Sequence, residues 1–118
     1  MEVNVQYLAG FFDGEGTFYM GMQAKNGKEY PKAQVMLSQS GEDGLALLRA
    51  IQEQYGGNIY HHLRIGEHKA TKDAYKLYWN RDEAILLIEA LIPYLILKKT
   101  DAEKVLTYLE RNIAKELF

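Results

Sequence analysis

The chain has 118 residues, 47% of them hydrophobic, with two prolines and no cysteine. That is room for one domain with its own core and little disordered linker, and it excludes disulfides and thiolate metal sites. A formal net charge of −2 excludes a simple DNA-coating protein, so any nucleic-acid role must come from where the charges sit.

Taken in chain order, Asn4 can cap a short helix whose Leu8, Phe11 and Phe12 share one face, and Gly14 and Gly16 end it. A strand over about residues 17–25 alternates Phe18, Met20 and Met22 against Tyr19, Gly21 and Gln23. Asn26-Gly27 is a strong hairpin-turn signal, and the return strand, about 30–39, buries Ala33, Val35 and Leu37. A helix over about 42–55 carries Leu45, Leu48, Ile51 and Gln52 on one face and stops at Gly56-Gly57. A second hairpin joins about 58–64 to about 74–80 across a polar, mobile connection at 66–72. Its return strand alternates Tyr75, Leu77 and Trp79 with Lys76 and Tyr78. Asp82 starts another helix, which turns Ile85, Leu86, Ile88 and Leu91 to the core and ends near Pro93. A last helix over about 98–114 carries Val105, Leu106 and Leu109.

The order α-ββ-α-ββ-α-α repeats helix-then-hairpin twice within one domain, residues 1–118. It predicts an α+β fold: a four-stranded antiparallel saddle with helices on one face and the other face free. Residues 17–39 hold Lys25, Lys28 and Lys32 against Glu29, and residues 57–81 hold Arg64, Lys69, Lys72, Lys76 and Arg81 against Glu67 and Asp73. The two hairpin segments thus carry +5 together, and the rest of the chain −7. A free sheet face with Tyr, Gln, Lys, Ser, His and Arg outward suits a nucleic-acid groove; taken alone, the alternation also describes an ordinary solvated sheet. His61-His62 is no chelating pair, because adjacent strand residues point to opposite faces. The apolar run from Ala84 to Leu97 is interrupted by Glu89 and Pro93, too broken to span a membrane, and the N-terminus has no signal-peptide pattern.

Leu8-Ala9-Gly10-Phe11-Phe12-Asp13-Gly14-Glu15-Gly16 combines several constraints. Gly10 and Gly14, four apart, stack on one helical face and let a second backbone approach; against a copy of itself this face gives a two-fold interface. Glu15 stands at a helix C-terminus, where the dipole disfavours a carboxylate, and two copies at a dyad would repel each other. Such a pair becomes sensible where divalent cations link it to phosphate oxygens; the plainer alternative is a solvated acid in a Gly-rich turn. Asp13 can cap backbone amides near the helix end or act across the dimer.

Position by position this string resembles the LAGLIDADG motif of the homing endonucleases, and the element order agrees over nearly the whole chain. The resemblance implies intron homing by a site-specific double-stranded DNA endonuclease. Family members with one motif act as homodimers on long pseudo-palindromic duplexes, so the expected interface is Tyr7, Gly10, Asp13 and Gly14. A nine-residue strand rising about 3.3 Å per residue spans roughly nine base pairs, so two subunits read on the order of 20. The family hydrolyses one phosphodiester in each strand across the minor groove with Mg²⁺, for which Mn²⁺ substitutes, and leaves 3′ overhangs. The resemblance places Glu15 as metal ligand, with the Gly16 carbonyl beside it. Gln39 takes the water-ordering position and Lys98 the position that stabilises charge on the cleaved phosphate. The outward register gives Thr17, Tyr19, Gln23, Lys25, Lys32, Gln34, Ser38, Tyr60, His62, Arg64, Lys76 and Tyr78 as the DNA-contacting set.

Three departures stand out. Glu15 replaces the more familiar aspartate. Asp43 lies where a basic residue sometimes assists catalysis, and the chain reaches Phe118 without the longer C-terminal helices of some members. Rival readings are a group I intron RNA maturase, a cleavage-inactive DNA-binding regulator, and a plain dimerisation module. The expected location is soluble and intracellular, in the compartment that holds the target genome.

Overall fold

A computed structural model of the protein describes residues 2–62 and 73–117. Helix α1 (Val5–Glu15) leads directly into β1 (Gly16–Lys25), which returns as β2 (Lys28–Ser40). Helix α2 (Gly41–Tyr55), β3 (Asn58–His62), β4 (Ala74–Trp79) and α3 (Arg81–Leu91) follow, then a 3₁₀ turn (Ile92–Tyr94) and α4 (Lys99–Leu117). The four strands form one antiparallel sheet in the order β1-β2-β4-β3. The α+β architecture and antiparallel saddle expected from the sequence are present.

Local chemistry sets the element ends. Asn4 caps α1 by accepting the Tyr7 N–H at 2.8 Å, satisfying one of the orphan amides of the first turn. Asn26 and Gly27 have φ of 53° and 76°, the left-handed pair that a two-residue type I′ hairpin requires. At the start of α2, Glu42 and Asp43 occupy the first turn, where the helix dipole favours acids.

Helices α1, α2 and α4 pack against the sheet, and α3 packs against α1 and α4, so one sheet face is covered. Phe12 lies at the centre of that layer. Its ring stacks on Phe18 of β1 (centroids 4.9 Å apart) and tilts against Trp79 of β4 (5.6 Å), which ties α1 to both hairpins. Leu8, Leu37, Leu48, Ile51, Leu77, Ile88 and Leu91 are fully buried around it. The indole N–H of Trp79 donates to the Tyr55 carbonyl at 3.1 Å, so the largest core ring leaves no unpaired polar atom.

Two expected core positions are corrected. Leu86 is 69% exposed: α3 buries Ala84, Leu87, Ile88 and Leu91, and at about 100° per residue Leu86 projects roughly 150° from the centre of that stripe. Met22 is 60% exposed although it continues the Phe18 and Met20 row, because the outer half of the β1-β2 hairpin extends past the helical layer. Arg64, the connection at 66–72 and the side chain of His62 lie outside the described residues.

Candidate functional site

The last turn of α1 and the first residue of β1 carry the acids and glycines. Tyr7, Gly10 and Gly14 fall at i, i+3 and i+7, on the side of α1 away from Leu8 and Phe12. A Cβ built at Gly10 or Gly14 would meet no atom within 4 Å, so this face of the helix is bare. Tyr7 is exposed beside it, its ring edge-on to Phe11 with centroids 6.2 Å apart. Glu15 ends the helix and is exposed.

Asp13 is committed to its own chain. Its carboxylate accepts the backbone N–H of Ile96 at 2.8 Å, of Leu97 at 3.1 Å and of Lys98 at 2.9 Å. Partial burial pushes the Asp13 carboxyl up. The three backbone N–H groups and the nearby Lys98 charge outweigh that and hold it below its ordinary value. Of the two roles open to Asp13 in the sequence, capping of backbone amides is the one seen within the chain. Just beyond, the Lys98 ammonium donates to the carbonyl of Gly16. Lys98 therefore reaches Gly16, the residue next to Glu15, at the junction of α1, β1 and the start of α4.

Gln39 sits at the same end of the sheet, two residues beyond Leu37, the partner of Gly16. It belongs to the helix-facing row of β2 with Val35 and Leu37, and it is half-buried under α2. A Cβ at Gly44 would come within 2.9 Å of the Gln39 Cβ. Asp43 lies in the first turn of α2 and is exposed.

The uncovered face of the sheet carries the alternate register. Thr17, Tyr19, Gln23 and Lys25 line β1; Lys32, Gln34 and Ser38 line β2; Tyr60 and Lys76 with Tyr78 line β3 and β4. All are exposed or half-buried, and a shallow concavity runs between Lys32, Gln34, Met36, Tyr60, Lys76 and Tyr78. Ser38, Lys76 and Tyr60 stand side by side across three strands. Lys25 and Lys28 are cross-strand partners at the hairpin tip, an arrangement of like charges that costs stability unless an anion lies between them.

Ile96 and Leu97, 90% and 76% exposed, were not singled out from the sequence. They occupy the segment that Asp13 binds, close to the bare side of α1. The signal was present: three consecutive apolar residues, Leu95-Ile96-Leu97, cannot all point inward, and only Leu95 is buried.

The donor atoms at Glu15 and Gly16 are hard oxygens, the set that Mg²⁺ and Ca²⁺ prefer. Among the described residues no group of three or more His, Asp or Glu could hold a metal within one chain. A cation here would therefore draw its remaining ligands from water, phosphate or a second copy. The residues fit the hard divalent ion expected from the sequence. Among the described residues no helix is long and apolar enough to cross a membrane.

A protein-family model described as LAGLIDADG endonuclease matches residues 8–114. No curated protein matches the sequence. Among solved structures, the homing endonuclease I-TnaI superposes with a TM-score of 0.74 at 23% identity, over 98% of this chain and 78% of that one. I-CvuI in complex with the I-CreI target gives 0.70 at 22% identity over 90% and 65%. The archaeal intron-encoded I-Vdi141I, complexed with DNA, gives 0.69 at 20% over 93% and 69%. At these identities the likeness establishes the fold, and the chain spans just under two thirds of the length of I-CvuI.

Proposed function

The chain belongs to the LAGLIDADG endonuclease family, and from that premise we propose that it is a homing endonuclease that cuts double-stranded DNA as a homodimer. Its site is a long pseudo-palindromic duplex, and metal-dependent phosphodiester hydrolysis leaves 3′ overhangs. The observation that carries this reading is the bare face of α1. Gly10 and Gly14 meet nothing within their own chain, and the helix ends on an exposed Glu15. The exposed Ile96 and Leu97 alongside add apolar surface that a second copy would remove from water. Two copies joined through Tyr7, Gly10 and Gly14 would bring two Glu15 carboxylates and two Lys98 ammonium groups to one central gap.

Each residue then has a task set by its chemistry. Glu15, with the Gly16 carbonyl, would hold Mg²⁺ (or Mn²⁺) at the scissile phosphates. When bound, the ion supplies Lewis acidity and a water of lowered pKa. The Lys98 ammonium offers positive charge to the oxygens of the cleaved phosphate. Gln39, an amide able both to donate and to accept, orders water at the edge of the sheet. On the open sheet face, Gln23 and Gln34 suit adenine edges, while Lys25, Lys32 and Lys76 suit phosphates or guanine. Tyr19, Tyr60 and Tyr78 add apolar surface with a polar tip. His62 and Arg64 complete the proposed contact set, and duplex-binding titrations of their alanine variants test them.

The test is selection of cleaved duplexes from a randomised pool with Mg²⁺, with Ca²⁺ as the non-supporting control, followed by Glu15→Gln on the recovered site. Loss of a metal ligand should lower the cutting rate by at least about 10²-fold, as several kcal/mol of charge stabilisation disappears, while affinity for the duplex stays nearly intact. Cutting at the wild-type rate by Glu15→Gln would refute its role. Tight duplex binding with no cleavage by the wild type would favour the regulator reading, and preference for structured RNA the maturase.

A further inference from the structure

We propose that Asp13 is a positioning residue for Lys98: it fixes the backbone from which the ammonium reaches the Gly16 carbonyl beside Glu15. The inference rests on the nuclease reading and deepens it. Lys98 is an odd residue for its place. Its carbonyl accepts the Ala102 N–H at 2.9 Å, the first bond of α4, so Lys98 stands at the N-cap. An N-cap side chain normally accepts a hydrogen bond from the first turn, which lysine cannot do. A cation also meets the positive end of the helix dipole there. Nothing in helix formation favours this side chain at this position.

The segment leading into it has little apolar hold of its own. Leu95 is buried, but Ile96 and Leu97 are 90% and 76% exposed, so their side chains do not anchor the turn. The anchor is the Asp13 carboxylate, whose two oxygens accept three consecutive backbone N–H groups, one from Ile96 and two from Leu97 and Lys98. Its negative charge also offsets the unfavourable start of α4. Because Asp13 is only two residues before Glu15 on the same helix, the carboxylate that would meet the metal and the ammonium that would meet the phosphate are set by one rigid element. An asparagine would keep one acceptor oxygen but turn an NH₂ group towards an N–H, so at least one of the three bonds must break.

The experiment is a double-mutant cycle of Asp13→Asn and Lys98→Ala on the full chain, using the duplex recovered with Mg²⁺. Single-turnover cleavage is measured with Mg²⁺ and duplex affinity with Ca²⁺. Asp13→Asn is expected to slow cleavage about ten- to hundred-fold, the usual range for groups that orient a catalytic residue, with affinity little changed. In the Lys98→Ala background the same substitution should cost far less. Equal fold-losses in the two backgrounds overturn the proposal, since a purely structural role would act whether or not Lys98 is present. Hydrogen exchange on the wild type gives a check that needs no variant: the amides of Ile96, Leu97 and Lys98 should be protected, and exchange at free-peptide rates overturns the proposal. A wild type that cuts while Asp13→Asn cuts equally well overturns this inference alone. A wild type that cuts no duplex overturns the nuclease reading and this inference with it.

Discussion

A Cβ built at Gly16 would come 2.3 Å from Cδ1 of Phe12 and 2.8 Å from its Cα. The ring cannot step aside, since it is fully buried between Phe18 and Trp79. Gly16 is therefore a packing glycine, required where the chain turns from α1 into β1 against its own helix. Gly16→Ala should destabilise the protomer by about 1–3 kcal/mol, the usual cost of overpacking a filled core. A urea titration would read this as a lower midpoint with an unchanged slope. A midpoint equal to wild type would mean that the Phe12 ring has room to move. From the sequence Gly16 stands apart from the Gly10 and Gly14 pair only as a residue that ends the helix; its packing role was not legible, because spacing shows that a Cβ is missing but not what stands in its place. Asp43 is a similar case. Judged by the family pattern it is an acid where a base sometimes helps, whereas the fold puts it in the first turn of α2, where an acid stabilises the helix.

At the scale of elements, α1 has two faces under opposite demands. Leu8, Ala9 and Phe12 are buried in the protomer, whereas Gly10 and Gly14 face open space. Glycine in a helix interior ordinarily costs about 0.5–1 kcal/mol relative to alanine. Gly10→Ala should therefore stabilise the dilute, separated protomer by about that amount. The same methyl should weaken self-association, because it lies where two backbones are proposed to meet. Denaturation at high dilution and sedimentation equilibrium across a concentration series would read the two effects separately. Association as tight as wild type would remove Gly10 from the interface. The elements themselves were legible because their signals are local: the Asn4 cap, the Asn26-Gly27 turn and the strict alternation through Val35 and Leu37. What was not legible depends on how far one layer covers another. Met22 continues the apolar row of β1 beyond the reach of the helices, and Leu86 sits among apolar neighbours but on the wrong side of α3. The bonding of Asp13 to the segment at 96–98 joins residues more than eighty positions apart, and no spacing rule reaches that far.

Across the whole molecule the decisive quantity is the placement of charge. The formal net charge is −2, yet the two hairpin segments carry +5 and the remainder −7. The helices that cover one sheet face leave Lys25, Lys32 and Lys76 on the other, so a weakly acidic protein presents a cationic face. Such a face binds duplex DNA largely by releasing condensed counterions, and the logarithm of affinity falls with the logarithm of salt by about 0.9 per phosphate neutralised. Lys76 is central in this array, exposed on β4 between Ser38 and Tyr60. If it meets one phosphate, Lys76→Ala should lower the slope by about 0.9 for each protomer bound, hence by about 1.8 for a homodimer on one site. The same titration thus counts both contacts and copies. Lys104→Ala, on the exposed side of α4, removes an equal charge from the covered face and should leave the slope unchanged. An equal change for the two variants would mean that net charge, rather than the open sheet, governs binding. A change near 0.9 for Lys76→Ala would point to one protomer on the duplex, and an unchanged slope would remove Lys76 from the phosphate contacts altogether.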